Sequence, residues 1–390
     1  MLDTRRTRLT KTLLIVILLG ASILAGCVGP RGWPGAQLSG DTLFVGTISG
    51  KVLALNPARG TTKWEWQPPQ VGNTSIGSQL GNITSGNITS SFLSCNSGET
   101  GQFRAGYIYS APAVANGTIY IGYHTGVIYA INAATGNEVW SRDINSNIPG
   151  GLAVANDTVY AGSSNGKLSA LDAGNGSLKW EFSTQNEVWS TPAVVDGVVY
   201  FGSLDHNLYA LNATDGTMKW AFKTEGGIIS TPLVIGNVVY IGSFDKKFYA
   251  IDADTGTQKW VFNGAGGWFW SEAAYDNGTI YVGNLDHKVY ALDAMGGTPA
   301  WPQPFKADSS VKSSPVVAGG SLVIASEEGK IYGVDLKTGE KKWESDRIKA
   351  KVLSQLCAAG GTVYINSQNN RLYALDGASG REIWGVTLNK

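Results

Sequence analysis

The amino-acid sequence predicts an all-β protein, an eight-bladed β-propeller in which every blade is a four-stranded antiparallel sheet. Three observations predict this fold. A glycine followed four residues later by a tryptophan recurs eight times along the 390 residues. Turn-forming residues divide each repeat into four short apolar runs. Glycine is abundant at 51 residues and charged residues make up only 15%, as is typical of many short strands joined by tight turns.

The first 27 residues predict a lipoprotein signal peptide. Arg5 and Arg6 belong to a positively charged region, and residues 13–24 form an apolar stretch that is too short to span a bilayer comfortably as a helix. The stretch ends in Leu-Ala-Gly-Cys, which resembles the bacterial lipobox, so we expect a lipid on Cys27. A plain signal peptide or anchor that happens to contain a cysteine is the alternative. Residues 28–390 are predicted to form a single propeller domain.

The tryptophan of each repeat defines the blades. Successive tryptophans lie 76, 40, 40, 40, 41, 42 and 41 residues apart, so one blade takes about 40 residues and the first interval contains an insertion. The insertion, residues 67–106, is rich in Gly, Ser, Asn and Thr, and we expect a flexible excursion, with a partner-binding lid as the alternative. The eight tryptophans are Trp64, Trp140, Trp180, Trp220, Trp260, Trp301, Trp343 and Trp384.

The clearest repeat spans residues 190–220. It reads as four strands, residues 191–195, 198–202, 208–211 and 218–222, separated by turn signals. The middle strands are apolar on both faces, so each sheet needs a neighbour on either side, and a closed ring of eight sheets supplies these neighbours. A linear β-solenoid is the alternative, but its turns are much shorter than 40 residues.

The recurring pattern Ala-x-Asp/Asn-x-x-x-Gly-x-x-x-Trp, as in residues 250–260, resembles the tryptophan-docking motif of PQQ-like (quinoprotein-type) propellers. The resemblance covers roughly residues 33–390. It implies that each indole packs between adjacent blades, with its N–H bonded across the gap. Residues 174–176, 294–297 and 323–325 depart from the pattern, which we expect to change turns and not the fold.

The same resemblance raises a PQQ-dependent alcohol dehydrogenase as an alternative. Such enzymes carry a vicinal cysteine pair, whereas this chain has three cysteines and no two are adjacent. We predict no catalytic residue and no cofactor. His124, His206 and His287 are expected in turns of separate blades, so we predict no metal site.

The two cysteines outside the signal peptide are a candidate disulfide. Cys95 lies in the insertion, and Cys357 lies early in the first strand of blade eight. Blades eight and one are neighbours in a closed ring, and an extracytoplasmic compartment permits disulfides. Two unpaired thiols are the alternative.

Four aromatic residues are the candidate interface. Trp189, Trp268, Phe269 and Trp270 are expected near the loops between blades. Aromatic residues are enriched among interface anchors. The alternative is that they pack locally between blades or line the central channel.

Length, lipobox and an eight-bladed ring together resemble the BamB-like lipoproteins of outer-membrane β-barrel assembly. The resemblance implies a non-catalytic, monomeric scaffold with protein partners at the cell envelope. Its lipid would hold it to the outer membrane, or to the outer face of the cell membrane in a cell without one. The 30 basic and 30 acidic residues balance each other, so there is no excess of positive charge that would attract nucleic acid. The alternatives are a cell-surface propeller that binds a small molecule or polysaccharide, and a carrier of a quinone or related redox cofactor.

Overall fold

The structure is a computed structural model that describes residues 34–69 and 106–388. Cys27, Cys95 and most of the 67–106 insertion lie outside the described residues. Within them, 32 strands form eight separate four-stranded sheets, each antiparallel and in chain order. The predicted eight-bladed propeller is therefore confirmed. Among the described residues no helix is long and apolar enough to span a membrane.

The strands of each blade follow one another along the chain. The first half of the ring contains, in blade one, β1 (Ala36–Ser39), β2 (Thr42–Gly46), β3 (Val52–Leu55) and β4 (Thr62–Trp66); in blade two, β5 (Ala113–Ala115), β6 (Thr118–Gly122), β7 (Val127–Asn132) and β8 (Glu138–Asp143); in blade three, β9 (Leu152–Ala155), β10 (Thr158–Gly162), β11 (Lys167–Asp172) and β12 (Leu178–Ser183); in blade four, β13 (Ala193–Val195), β14 (Val198–Gly202), β15 (Asn207–Asn212) and β16 (Met218–Lys223).

The second half repeats this order. It contains, in blade five, β17 (Leu233–Ile235), β18 (Val238–Gly242), β19 (Phe248–Asp252) and β20 (Gln258–Phe262); in blade six, β21 (Ala274–Asp276), β22 (Thr279–Gly283), β23 (Lys288–Asp293) and β24 (Phe305–Lys306); in blade seven, β25 (Val316–Ala318), β26 (Ser321–Ala325), β27 (Ile331–Val334) and β28 (Lys341–Ser345); in blade eight, β29 (Cys357–Ala359), β30 (Thr362–Ser367), β31 (Arg371–Asp376) and β32 (Glu382–Thr387).

The apolar core is divided among the interfaces between blades. Every residue of β14 is buried, and the four central residues of β15 are buried as well. Eight clusters of buried side chains result, one between each pair of consecutive blades. The cluster that joins blades eight and one includes Leu43 and Leu372, so the ring closes by the same kind of packing that joins its other blades.

The turn before each outer strand has a defined geometry, seen clearly in blade four. Asn212 Oδ1 accepts a hydrogen bond of 2.9 Å from the N–H of Thr214. Gly216 has a φ of 74°, a conformation that costs glycine little. The register between β15 and β16 shifts at Ala210 and Leu211, so the turn is followed by a bulge.

Blade six departs from the repeat more than its sequence suggested. Its outer strand β24 pairs only Lys288 with Lys306 and Val289 with Phe305. Three prolines, Pro299, Pro302 and Pro304, lie in the segment where the other blades have most of this strand. Proline has no N–H to donate to a strand ladder, so the outer strand is cut to two residues. The turn itself is kept, since Gly297 has a φ of 69°.

Candidate functional site

The eight indoles connect the blades into a ring. Each indole N–H donates to a backbone carbonyl of the following blade, and Trp384 donates to Pro57 of blade one, 327 residues away in sequence. The other donor–acceptor pairs are Trp64–Ala133 at 3.0 Å, Trp140–Ala173 at 2.8 Å, Trp180–Ala213 at 3.1 Å, Trp220–Ala253 at 2.9 Å, Trp260–Ala294 at 3.0 Å, Trp301–Leu336 at 2.9 Å and Trp343–Gly377 at 3.2 Å.

The contact around Trp220 shows how such an indole is held. The side chain is 8% exposed. Its ring lies against Gly256 of the next blade, where a Cβ atom would come within 2.7 Å of Cδ2. Tyr200 donates to the same Ala253 carbonyl from 3.4 Å, so two rings of one blade share an acceptor on its neighbour. The repeated glycine therefore has two roles. It adopts the positive φ of its own turn, and its lack of a side chain leaves room for the tryptophan of the preceding blade.

A central channel is lined by the segments that precede the first strands. It encloses a cavity of about 100 Å³, bounded by residues of blades two to eight. Two positions of each segment, separated by one residue, line it, because alternate residues of an extended chain face the same way. The outer position is Trp189, Ile229, Trp270, Lys312 and Leu353 in blades four to eight; the inner position is Thr191, Thr231, Glu272, Ser314 and Gln355.

Glu272 and Gln355 meet across this channel from blades six and eight. Gln355 Nε2 donates to Glu272 Oε2 at 2.8 Å. Although the residue is partly exposed to the channel, protein atoms surround its carboxyl group, and this burial raises the pKa of Glu272 to about 7. Glu272 was not among the residues predicted from the sequence. Its signal is a carboxyl side chain where the equivalent residues of neighbouring blades are Thr or Ser.

A three-ring aromatic surface lies beside the channel. Phe244, in the turn after β18, stacks on Trp268 with ring centroids 4.6 Å apart and on Trp270 at 6.0 Å. All three side chains are partly exposed. Phe244 N–H donates to Gly227 O in the loop between blades four and five, so the stack lies on the face that carries the loops between blades. We call these three residues the aromatic surface.

The predicted interface residues separate into different environments. Trp268 and Trp270 belong to the aromatic surface, while Trp189 lines the channel and donates its indole N–H to Glu187. Phe269 is a correction: it is fully buried, with its ring 5.4 Å from that of Phe248. Because side chains alternate along an extended segment, the middle residue of Trp-Phe-Trp points into the blade and not toward a partner.

The acidic turn residues bind the loops between blades. Asp205 accepts hydrogen bonds from the N–H of Gln185 at 3.0 Å and from the hydroxyl of Tyr209 at 2.7 Å. Asp245 and Asp286 make equivalent bonds. The neighbouring His206 and His287 have positive φ, as turn residues. Within residues 34–69 and 106–388, no three His, Cys, Asp or Glu side chains converge as a metal site would require.

Cys357 lies in β29, against blade one. It packs on the cluster that closes the ring, and burial raises the pKa of its thiol. Because Cys95 lies outside the described residues, the disulfide stays a prediction.

A family model described as outer membrane protein assembly factor BamB matches residues 189–268 and 263–390. The two matches together span 189–390, more than half of the chain. The chain belongs to this family. Its membership agrees with the PQQ-like repeat and with the BamB-like propeller that the sequence indicated. No curated protein sequence matches the chain.

Solved structures show the BamB-like fold. BamB from Moraxella catarrhalis superposes with a TM-score of 0.65 at 17% identity, over 88% of this chain and 93% of that one. The computationally designed Ika8 protein superposes with a TM-score of 0.70 at 16% identity, over 89% of this chain and 97% of that one. Identities this low show the fold alone.

Proposed function

We propose that the chain is a non-catalytic, monomeric scaffold, held at the cell envelope by a lipid on Cys27, that binds a protein of the outer-membrane assembly machinery. Membership of the BamB family supports the task, because the family description names outer-membrane protein assembly. The lipobox supports the anchor. Two or more acyl chains bind a membrane stably, whereas one does so only marginally.

The aromatic surface is the single observation that carries the proposal. Three stacked rings give a large, rigid contact area, which costs little conformational entropy when a partner covers it. The ammonium of Lys312 lies 5.7 Å from the centroid of Trp270, beside the rings. Lys247 and Glu225, 2.9 Å apart, form an ion pair on the same loop face. An aromatic centre with a charged rim is the usual composition of a protein interface.

Backbone hydrogen bonds within the ring hold the residues of the aromatic surface in place before a partner binds. Phe244 is fixed by its backbone bond to Gly227, and Trp268 O accepts a hydrogen bond of 3.1 Å from the N–H of Leu285. Each bond joins a loop between blades to a turn of the blade that the loop enters. A partner would meet the rings in position, which lowers the entropic cost of binding.

Affinity purification from native envelopes tests the proposal. Wild-type chain, Trp268→Ala and Met295→Ala are expressed at equal levels, cross-linked in intact cells and purified. Met295 is the control because it is 91% exposed and lies in the turn between β23 and β24, at the opposite end of its blade from the loops between blades. We expect envelope assembly proteins with the wild type and Met295→Ala, and at least a several-fold loss with Trp268→Ala.

The outcome against the proposal is equally specific. If wild type yields no envelope protein above a mock purification, the scaffold function is wrong. If Trp268→Ala retains the same proteins as Met295→Ala, a scaffold remains but the aromatic surface is not its interface.

A further inference from the structure

The carboxyl group of Glu272 lines the channel without an ion-pair partner among the described residues. The described lining of the channel includes two charged side chains, Glu272 and Lys312. Lys312 is already paired, since its ammonium lies 3.0 Å from Glu327 Oε2. Glu272 has its bond to Gln355 and no ion pair among the described residues. A carboxylate enclosed by protein without a counter-ion is costly, so the site favours a cation or a proton.

Glu272 also contrasts with the small residues at the same position of blades three, four, five and seven. Gly151, Thr191, Thr231 and Ser314 occupy the equivalent position in other blades and leave the channel open. The open space of about 100 Å³ exceeds that of a single water, which needs roughly 10–15 Å³ on this scale. The carboxyl therefore faces a space that a small ligand can fill.

Ser271, the residue before Glu272, has a buried hydroxyl group without a hydrogen-bond partner in the described part of the chain. In blades five and seven the equivalent serines, Ser230 and Ser313, donate at 2.8 Å to the carbonyl that ends the second strand of their own blade. Ser271 is also buried and lines the channel, yet its hydroxyl has no hydrogen-bond partner in the described part of the chain. Blade six thus places a hydroxyl without a hydrogen-bond partner next to a carboxyl that has no ion pair in the described part of the chain.

Two indoles complete the wall at the mouth. Trp189 and Trp270 occupy the outer position in blades four and six. The faces of indole rings attract cations, and aromatic walls of this kind recognise ammonium groups. Trp270 already shows the interaction within the protein, because the Lys312 ammonium lies 5.7 Å from its centroid.

We propose that this channel mouth, defined by Glu272, Gln355, Trp189 and Trp270, binds a small organic ammonium ion. The carboxylate supplies the opposite charge, and the two indoles supply an apolar wall for the alkyl groups of the cation. Gln355 keeps the carboxylate directed across the channel. The site does not depend on the scaffold function, because it needs no protein partner.

The charged groups around the channel fix the pH dependence. Lys312 and Glu327 form an ion pair, and Glu187 accepts the indole N–H of Trp189. Burial lowers the pKa of His124 from its usual value, which favours the neutral imidazole. Glu272, with a pKa of about 7, is then the group that titrates between pH 6 and 8. Affinity for a cation should rise about tenfold over this interval and then level off, as the ionised fraction does.

Calorimetric titration of the purified chain with tetramethylammonium chloride, at constant ionic strength, tests the site. We expect saturable binding that strengthens from pH 6 to pH 8. Glu272→Gln should weaken binding at pH 8 at least tenfold and remove the pH dependence. Glu138→Gln is the control, since it removes an exposed carboxylate in the outer strand β8 and should change neither. Trp189→Leu keeps the carboxylate, so it should weaken binding and retain the pH dependence.

Three results would each overturn the inference. The first is the absence of saturable binding at every pH. The second is equal affinity for tert-butanol, a neutral molecule of similar shape. The third is an unchanged affinity in Glu272→Gln. Circular dichroism of each variant establishes that the propeller is folded, so a loss of binding reports on the site.

Discussion

Replacing Gly256 by alanine should destabilise the propeller well beyond the strain of the turn itself. Gly256 has a φ of 71°, and a Cβ atom there would lie 2.7 Å from Cδ2 and 2.8 Å from Cγ of Trp220. Ordinary van der Waals contact begins near 3.4 Å. The indole would have to move outward, away from the Ala253 carbonyl that it contacts at 2.9 Å.

The expected magnitude has three parts. A left-handed backbone conformation costs an L-residue about 1–2 kcal/mol. Overpacking a tight contact costs about 1–3 kcal/mol. Loss of the indole hydrogen bond adds about 0.5–1.5 kcal/mol. Gly197→Ala isolates the first part, because Gly197 has a φ of 75° and nothing within 4 Å of its Cβ position. Gly256→Ala should therefore lower the free energy of unfolding by about 1.5–4.5 kcal/mol more than Gly197→Ala.

Urea unfolding followed by tryptophan fluorescence measures this difference. Both variants should keep the wild-type dependence of free energy on urea, so that a shift in midpoint reports stability alone. Equal midpoints for Gly256→Ala and Gly197→Ala would refute the reasoning, because the indole would then not depend on the bare glycine beneath it.

Three further predictions address the anchor, the channel and the cysteines. The wild-type chain should incorporate an alkyne-labelled fatty acid in a bacterial host and Cys27→Ser should not; label on the variant would exclude lipid attachment at that residue. The pKa of Glu272 is raised from 4.5 to about 7 on folding, so the folded state binds its proton more tightly and the free energy of unfolding falls as pH rises from 4.5 to 7. Glu272→Gln should thus exceed wild type in stability by roughly 1–3 kcal/mol at pH 8 and match it at pH 4, and a stability difference that does not change with pH would contradict this. Peptide mapping without reductant should recover Cys95 linked to Cys357, whereas two alkylatable thiols would show that no bridge forms.

The blade count could be predicted because each blade repeats the same physical requirement. An outer-strand tryptophan needs an acceptor and a bare glycine on the next blade, so Gly and Trp recur at fixed spacing. The short outer strand of blade six was not predicted. Pro299, Pro302 and Pro304 signal it, but the tryptophan spacing is unaffected by them, and spacing was the basis of the prediction.

The candidate site was predicted only in part. Tryptophans near the loops between blades were recognisable from their place in the repeat, whereas Phe269, the middle residue of Trp-Phe-Trp, points into the blade because side chains alternate along the segment. Glu272 and Gln355 are separated by 83 residues in sequence, and only the closed ring brings them within 2.8 Å. The stacking of Phe244 on Trp268 also joins residues of two blades, so no local sequence pattern predicts it.

Position-resolved photo-cross-linking in living cells tests the central claim, that the aromatic surface binds an envelope protein. A photoreactive amino acid replaces Trp268 in one strain and Met295 in another, and adducts are identified by mass spectrometry after irradiation. The account predicts a discrete adduct with an outer-membrane assembly protein from position 268 and none from position 295. Adducts at neither position, or the same adducts at both, would contradict it.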